Sequence, residues 1–136
     1  IRDKGHEFVT ITGRPRRTGW FDSVIVRHAV RVNGLSALCI NKLDTLAGLD
    51  TLKVCVAYKK PDGSVIRDFP PTLEGLEGCE PIYEEFPGFN CDISGCRKFE
   101  DLPDVCLSYI SRLEELCECP VRMVGVGPDR NQIIER

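Results

Sequence analysis

Between Gly19 and Asn33 the chain spaces Phe21, Val24, Ile25, His28, Ala29 and Val32 three and four residues apart, the periodicity of one helix face. Asn33-Gly34 supplies a stop signal, so a helix is predicted near 20–33 with His28 packed in its buried stripe. Leu35 to Ile40 is a short apolar run bounded by Gly34 and the polar Asn41, which predicts a buried strand. A second strand is predicted over Leu52–Tyr58, and Pro61-Asp62-Gly63 turns it into Ser64–Arg67 as a hairpin. Pro70 to Gly95 is rich in Pro, Gly and Glu and reads as a winding surface connection with one extended piece at Pro81–Tyr83. Helical spacing returns at Leu102, Val105, Tyr109, Leu113 and Leu116, with Pro103 in the first turn, Pro120 as terminator, and Arg112, Glu114 and Glu115 facing water.

Val121 to Val126 completes the pattern as a third strand that ends in the Gly127-Pro128-Asp129-Arg130 turn. The expectation is an α/β unit with a mixed sheet, flanking helices near 20–33 and 103–117, and a β-hairpin. Leu35–Ile40, Leu52–Tyr58 and Val121–Val126 are expected in one sheet, with the strand ends at Asn41 and Gly127 side by side. In open α/β sheets such carboxyl ends are where ligands bind.

Composition narrows the class. The 136 residues suit one domain, and 42% hydrophobic residues suffice for a core. No apolar run is long enough to span a membrane, and a first residue Ile1 rather than Met is expected of a piece of a longer polypeptide. Residues 1–60 hold eleven Lys or Arg against five Asp or Glu, whereas residues 74–118 hold three against twelve. An anionic ligand is therefore expected on the first half. Nucleic acid is not, because the basic residues are not interleaved with aromatic ones. Cys39 and Cys55 sit inside strand-like runs, and the Cys91/Cys96 and Cys117/Cys119 spacings form no C-x-x-C knuckle. The eight cysteines are expected to be structural thiols in a reducing compartment, with no metal.

Two segments carry candidate chemistry. In Leu38-Cys39-Ile40-Asn41-Lys42-Leu43-Asp44 an apolar run breaks into a polar turn. A carboxylate such as Asp44 can accept both guanine N1–H and the 2-amino group, Lys42 can lay its stem along a base, and Asn41 can touch the other edge or fasten the loop. Simple capping of a following helix is the competing explanation. No G-x-x-x-x-G-K-[ST] loop occurs, so a phosphate site has to be supplied from outside these residues. The second segment, Thr10-Ile11-Thr12-Gly13-Arg14-Pro15-Arg16-Arg17, combines hydroxyls and backbone donors around Gly13 with the forked donors of Arg14 and Arg16, suited to a carboxylate or phosphate. Its alternative is a solvated basic loop, although three arginines this close repel one another unless an anion lies among them.

Four blocks in order, "GHEFVTITGRPRRTGWFD", "NKLDTLAGLDTLKVCVAY", "EPIYEEFPGF" and "YISRLEEL...PVRMVGVGPDR", resemble the adenylosuccinate synthetase family over essentially the whole chain, as its C-terminal part. The resemblance implies a portion of a larger P-loop-like GTP-dependent ligase fold that joins IMP and L-aspartate into adenylosuccinate on the route from IMP to AMP. It implies GTP as co-substrate and Mg2+ as cofactor, with the catalytic residues and metal ligands in an N-terminal portion, so that these residues alone would be inactive. It further implies a cytoplasmic homodimer.

Matched position by position, the resemblance implies an aspartate-binding loop over 9–17, in which Thr10, Ile11, Thr12, Gly13, Arg14, Pro15 and Arg16 meet aspartate and IMP. Arg16 also lies near the GTP phosphates. Lys42, Leu43 and Asp44 of the 41–44 segment would read guanine, and Gly125, Val126 and Gly127 of the 125–130 turn would form the second wall of the base pocket through backbone groups. Val9 and Ile11 stand where the family more often has Gly and Thr, which removes one hydroxyl, and Gly125 stands where some members have Ser. A non-catalytic module that binds guanine nucleotide or a dicarboxylate is the alternative function.

Overall fold

The computed structural model describes residues 1–136. Strand β1 (Phe21–Asp22) leads directly into helix α1 (Ser23–Asn33), because Asp22 is its N-cap and accepts hydrogen bonds from the N–H groups of Val24 and Ile25 at 3.0 and 3.3 Å. Gly34 closes the helix in the left-handed conformation, φ 62°. The buried residues of α1 are Ser23, Val24 and Val30, so the face differs from the predicted one. Val32 is 69% exposed, and His28 is exposed against the ring of Phe69 rather than packed in the core. The rotation is set at the first turn, where the Ser23 hydroxyl donates to Cys55 O at 2.7 Å and holds the helix against strand β3.

The predicted single sheet is instead two mixed sheets. Strand β2 (Leu38–Ile40) is separated from β3 (Thr51–Lys59), which pairs parallel with β1 and antiparallel with β4 (Val65–Ile66). The hairpin at Pro61-Asp62-Gly63 is thus present, with Tyr58 opposite Ile66. After the one-turn helix α2 (Leu73–Leu76), strand β5 (Glu80–Pro87) pairs antiparallel along the whole of β3. The Pro- and Glu-rich segment hid this eight-residue strand, since Glu80 and Glu85 are exposed on a sheet edge while Glu84 is half-buried and paired with Arg112 of the later helix. Its end is locked by a close crossing: Gly88 N–H donates to Asp50 O at 2.9 Å, and a Cβ built on Gly88 would lie 1.6 Å from Leu49 O.

Helix α3 (Asp104–Cys117) feeds strand β6 (Val121–Gly125), which pairs parallel with β2 and antiparallel with β7 (Ile133–Glu135). β2 is shorter than predicted and only half-buried, as befits the edge of this sheet. β7 escaped the sequence pattern because it spans three residues. Glu114 turns inward rather than to water, accepting from Val121 N–H at 2.7 Å and pairing with Arg136 at 2.8 Å.

The main core lies between the two sheets and α3. It unites Leu52 and Val54 of β3 with Cys106, Tyr109, Ile110 and Leu113 of α3, Val121 and Val124 of β6, and Leu43, Val126 and Ile134. The opposite face of β3 gives Cys55 and Tyr58 to a smaller cluster with Val24 of α1. Burial on both faces is why β3 reads as a continuous apolar run rather than an alternating one.

Candidate functional site

The parallel pairing of β2 with β6 places both carboxyl ends at one edge of the sheet, Ile40 opposite Val124. Beyond them opens a cleft of about 510 Å³, in the range of small-molecule sites. Asn41, Lys42, Asp44 and Thr45 line one wall; Gly125, Gly127, Pro128, Asp129 and Arg130 line the other; Lys4, Gly5, His6 and Ile133 complete the rim. The structure therefore brings the 41–44 segment and the 125–130 turn into one pocket.

A turn of 3-10 helix over Leu43–Leu46 presents Asp44 to this cleft. Leu43 fills the core and anchors the turn, while the Thr45 hydroxyl donates to Lys42 O at 2.8 Å. Asp44 Oδ1 is buried and has no hydrogen-bond partner. A carboxylate oxygen withdrawn from water without a donor is costly, and it marks where a ligand donor completes the site. Across the cleft, a Cβ on Gly125 would approach Asn41 Oδ1 to 3.0 Å, so the absence of a side chain leaves the wall against the Asn41 turn bare. Leu43 and Val126 do not line the cleft. Both side chains are core, and the Val126 N–H already donates to Gln132 O at 2.8 Å.

Lys42 has left-handed backbone, φ 61°, which is uncommon for a residue with a Cβ. Its ammonium is tied to Gly5 O at 2.8 Å and to the carboxylate of Glu7, so its aliphatic stem is stretched along the cleft. The second oxygen of Glu7 receives Arg16 Nη1 at 3.2 Å. Held first by Lys42 and then by Arg16, the Glu7 carboxyl lies below the ordinary carboxylate range. Nothing in the sequence alone marks Glu7. Its signal, an acidic residue heading a run of arginines, is legible only once the fold brings Lys42 to it.

The 9–17 loop leaves this junction as a narrow excursion, closed by a bridge between Phe8 and Pro15 and by Val9 N–H to Arg14 O at 2.9 Å. Gly13 takes φ 65° at its tip, and Gly13 N–H donates back to Val9 O at 2.7 Å. Thr10, Ile11, Thr12, Arg14 and Arg17 are exposed, Ile11 to 96%. The Thr12 hydroxyl accepts from Arg14 N–H at 3.4 Å, leaving its proton free. Part of the expected need for an external anion is met internally, because Glu7 pairs with Arg16, although it shares its one charge with Lys42. Arg14 and Arg17 have no carboxylate partner.

A sequence profile of the family described as adenylosuccinate synthetase matches residues 1–134. The chain belongs to the adenylosuccinate synthetase family. It is 54% identical to the adenylosuccinate synthetase of Heliobacterium modesticaldum and 55% identical to that of Limosilactobacillus reuteri, over 99% and 98% of this chain. Its fold superposes on a fully ligated adenylosuccinate synthetase from Plasmodium falciparum with a TM-score of 0.93 at 38% identity, covering 99% of this chain and 32% of that one. The chain spans about a third (31%) of the length of these curated relatives. Membership in a ligase family disfavours the non-catalytic module as the origin of the cleft. No three His, Cys, Asp or Glu side chains converge as a cation site in this part of the adenylosuccinate synthetase fold, and no helix is long and apolar enough to cross a membrane.

Proposed function

We propose that this chain is the base-reading and amino-acid-presenting part of an enzyme that couples IMP and L-aspartate at the expense of GTP. The observation that carries the proposal is the buried, unpartnered Oδ1 of Asp44 in a cleft between two parallel strand ends. Asp44 accepts guanine N1–H and the 2-amino group, the Lys42 stem flanks the base, and the backbone at Gly125 and Gly127 forms the facing wall, with Val126 between them anchoring the turn in the core. Leu43 contributes only as the anchor of the turn.

The exposed fork of Arg14, the hydroxyls of Thr10 and Thr12 and the backbone of Ile11 receive the aspartate carboxylates and the edge of IMP, on a loop that Gly13 and Pro15 turn, while Arg16, paired with Glu7, lies toward the GTP phosphates. GTP first phosphorylates the 6-oxygen of IMP, and the aspartate amine then displaces that phosphate. The ligands of magnesium, which the family resemblance implies, and the catalytic groups would be supplied by residues outside this chain. The whole protein is proposed to be a cytoplasmic homodimer.

The test is adenylosuccinate formation by the full-length protein with IMP, aspartate and either GTP, ITP or ATP. ITP lacks only the 2-amino group, so loss of one charge-assisted bond lowers kcat/KM by about tenfold or more. Equal turnover with ATP would overturn the assignment.

A further inference from the structure

We propose that Glu7 is a positioning residue that joins guanine recognition to the 9–17 loop, one carboxylate holding Lys42 on Oε1 and Arg16 on Oε2. The inference rests on the functional reading above for both segments. Lys42 lies in the turn that presents Asp44, and Arg16 closes the stem of the loop that carries Arg14. The two cations come from segments far apart in the chain, and Glu7 is where they meet.

The backbone of Glu7 belongs to the loop. Its C=O accepts from Arg16 N–H at 2.9 Å, and the bridge from Phe8 to Pro15 follows immediately. Its side chain belongs to the base cleft. Lys42 is therefore tied to the stem of the loop through the single residue Glu7.

Backbone conformation points to the same junction independently. Three non-glycine residues have positive φ: Glu118, which caps α3, and His6 and Lys42. The latter two are the chain neighbour and the side-chain partner of Glu7, and both line the cleft. Left-handed backbone with a Cβ persists where surrounding contacts over-determine it, and such positions cluster at ligand clamps. Lys42 is held from its far end by Gly5 O and Glu7, and His6 is fixed between them. An ordinary exposed ion pair contributes little and constrains nothing. Glu7 differs in that its side chain is only 21% exposed, although Lys42 and Arg16 are 50% and 54% exposed, and in that it joins two cations from distant segments.

The experiment is equilibrium binding of the non-hydrolysable imido analogue of GTP to the full-length protein with IMP, in the presence and absence of saturating aspartate. In the unaltered protein aspartate tightens the analogue by about fivefold or more, the size of an ordinary coupling between sites. Glu7→Gln, which keeps shape and loses charge, reduces that factor below about twofold with an unchanged unfolding midpoint. Glu7→Asp, which keeps the charge, restores part of it. Lys42→Met cuts the same tie from the other end and also erases the coupling. The proposal is overturned if the unaltered protein shows no coupling, if either Glu7→Gln or Lys42→Met retains it, or if its loss comes only with a lowered unfolding midpoint. Asp44→Asn separates the two levels: if that variant keeps its preference for guanine, the base assignment itself fails, whatever Glu7 does.

Discussion

Replacing Asp44 by Asn changes one functional group at the back of the cleft and nothing that holds the turn. The turn is fixed by Thr45 N–H to Lys42 O at 3.1 Å, Ala47 N–H to Asp44 O at 3.2 Å and the Thr45 hydroxyl, none of which uses the carboxylate. Asn removes an ionised acceptor whose Oδ1 has no partner, so the unfolding midpoint should stay level or rise slightly. Guanine, by contrast, faces one remaining acceptor and an NH₂ donor opposite its own 2-amino group. At about 1.5–3 kcal/mol for each charge-assisted bond, plus an unpaired donor, kcat/KM for GTP should fall roughly a hundredfold or more. Xanthine carries a carbonyl at the 2-position and accepts from the new amide, so XTP should become the preferred donor. The assay is adenylosuccinate formation by the full-length variant with GTP and XTP in parallel. Retention of the original GTP margin, or equal loss with both nucleotides, would refute Asp44 as the base reader and return the segment to a structural turn.

Arg14→Leu should raise KM for aspartate and for IMP in the full-length enzyme, with a loss of about 2–3 kcal/mol in kcat/KM and no change in unfolding midpoint, since Arg14 is exposed and unpaired. Gly88→Ala should lower the unfolding midpoint by an amount corresponding to at least about 1–3 kcal/mol, because its Cβ would meet the backbone of Leu49, which cannot swing aside. Burial pushes the Cys106 and Cys117 thiols up to about 12 and Cys55 to about 11, so a thiol-specific reagent at pH 8 should leave all three intact in the native protein by mass spectrometry. These raised values also set a pH window: the stability that comes from keeping the thiols neutral is fully present below the ordinary thiol value of 9.0 and is lost as pH rises from there toward about 12, which alkaline thermal unfolding would detect.

What the sequence displayed best was the run of elements with strong periodicity or sharp bounding residues. α3, β3, the Pro61-Asp62-Gly63 hairpin and the two strand ends at Asn41 and Gly127 all had such signals. Sheet membership did not, because an apolar run such as Leu38–Ile40 carries no record of whether its neighbour is β3 or β6. The face of α1 was misjudged for a related reason. Ile25 and Val32 are apolar and correctly spaced, yet the helix is rotated by what its first turn touches, namely Ser23 on β3. In the cleft, the position of Asp44 follows from the strand end that precedes it, whereas that of Glu7 does not: nothing in GHEF foretells a contact with Lys42, thirty-five residues on.

The pairing of β2 with β6 also has a consequence in time. β3, β4 and β5 are neighbours along the chain and can assemble while later residues are still being made. Leu38 must wait for Val121, so the sheet edge that carries Asp44 cannot exist until translation has passed α3 and β6. Closing so long a loop is slow compared with forming the hairpin. A chain that ends before Val121 therefore lacks both the partner of β2 and the Gly125–Arg130 wall of the cleft, so it should bind no base and should expose an unpaired strand edge.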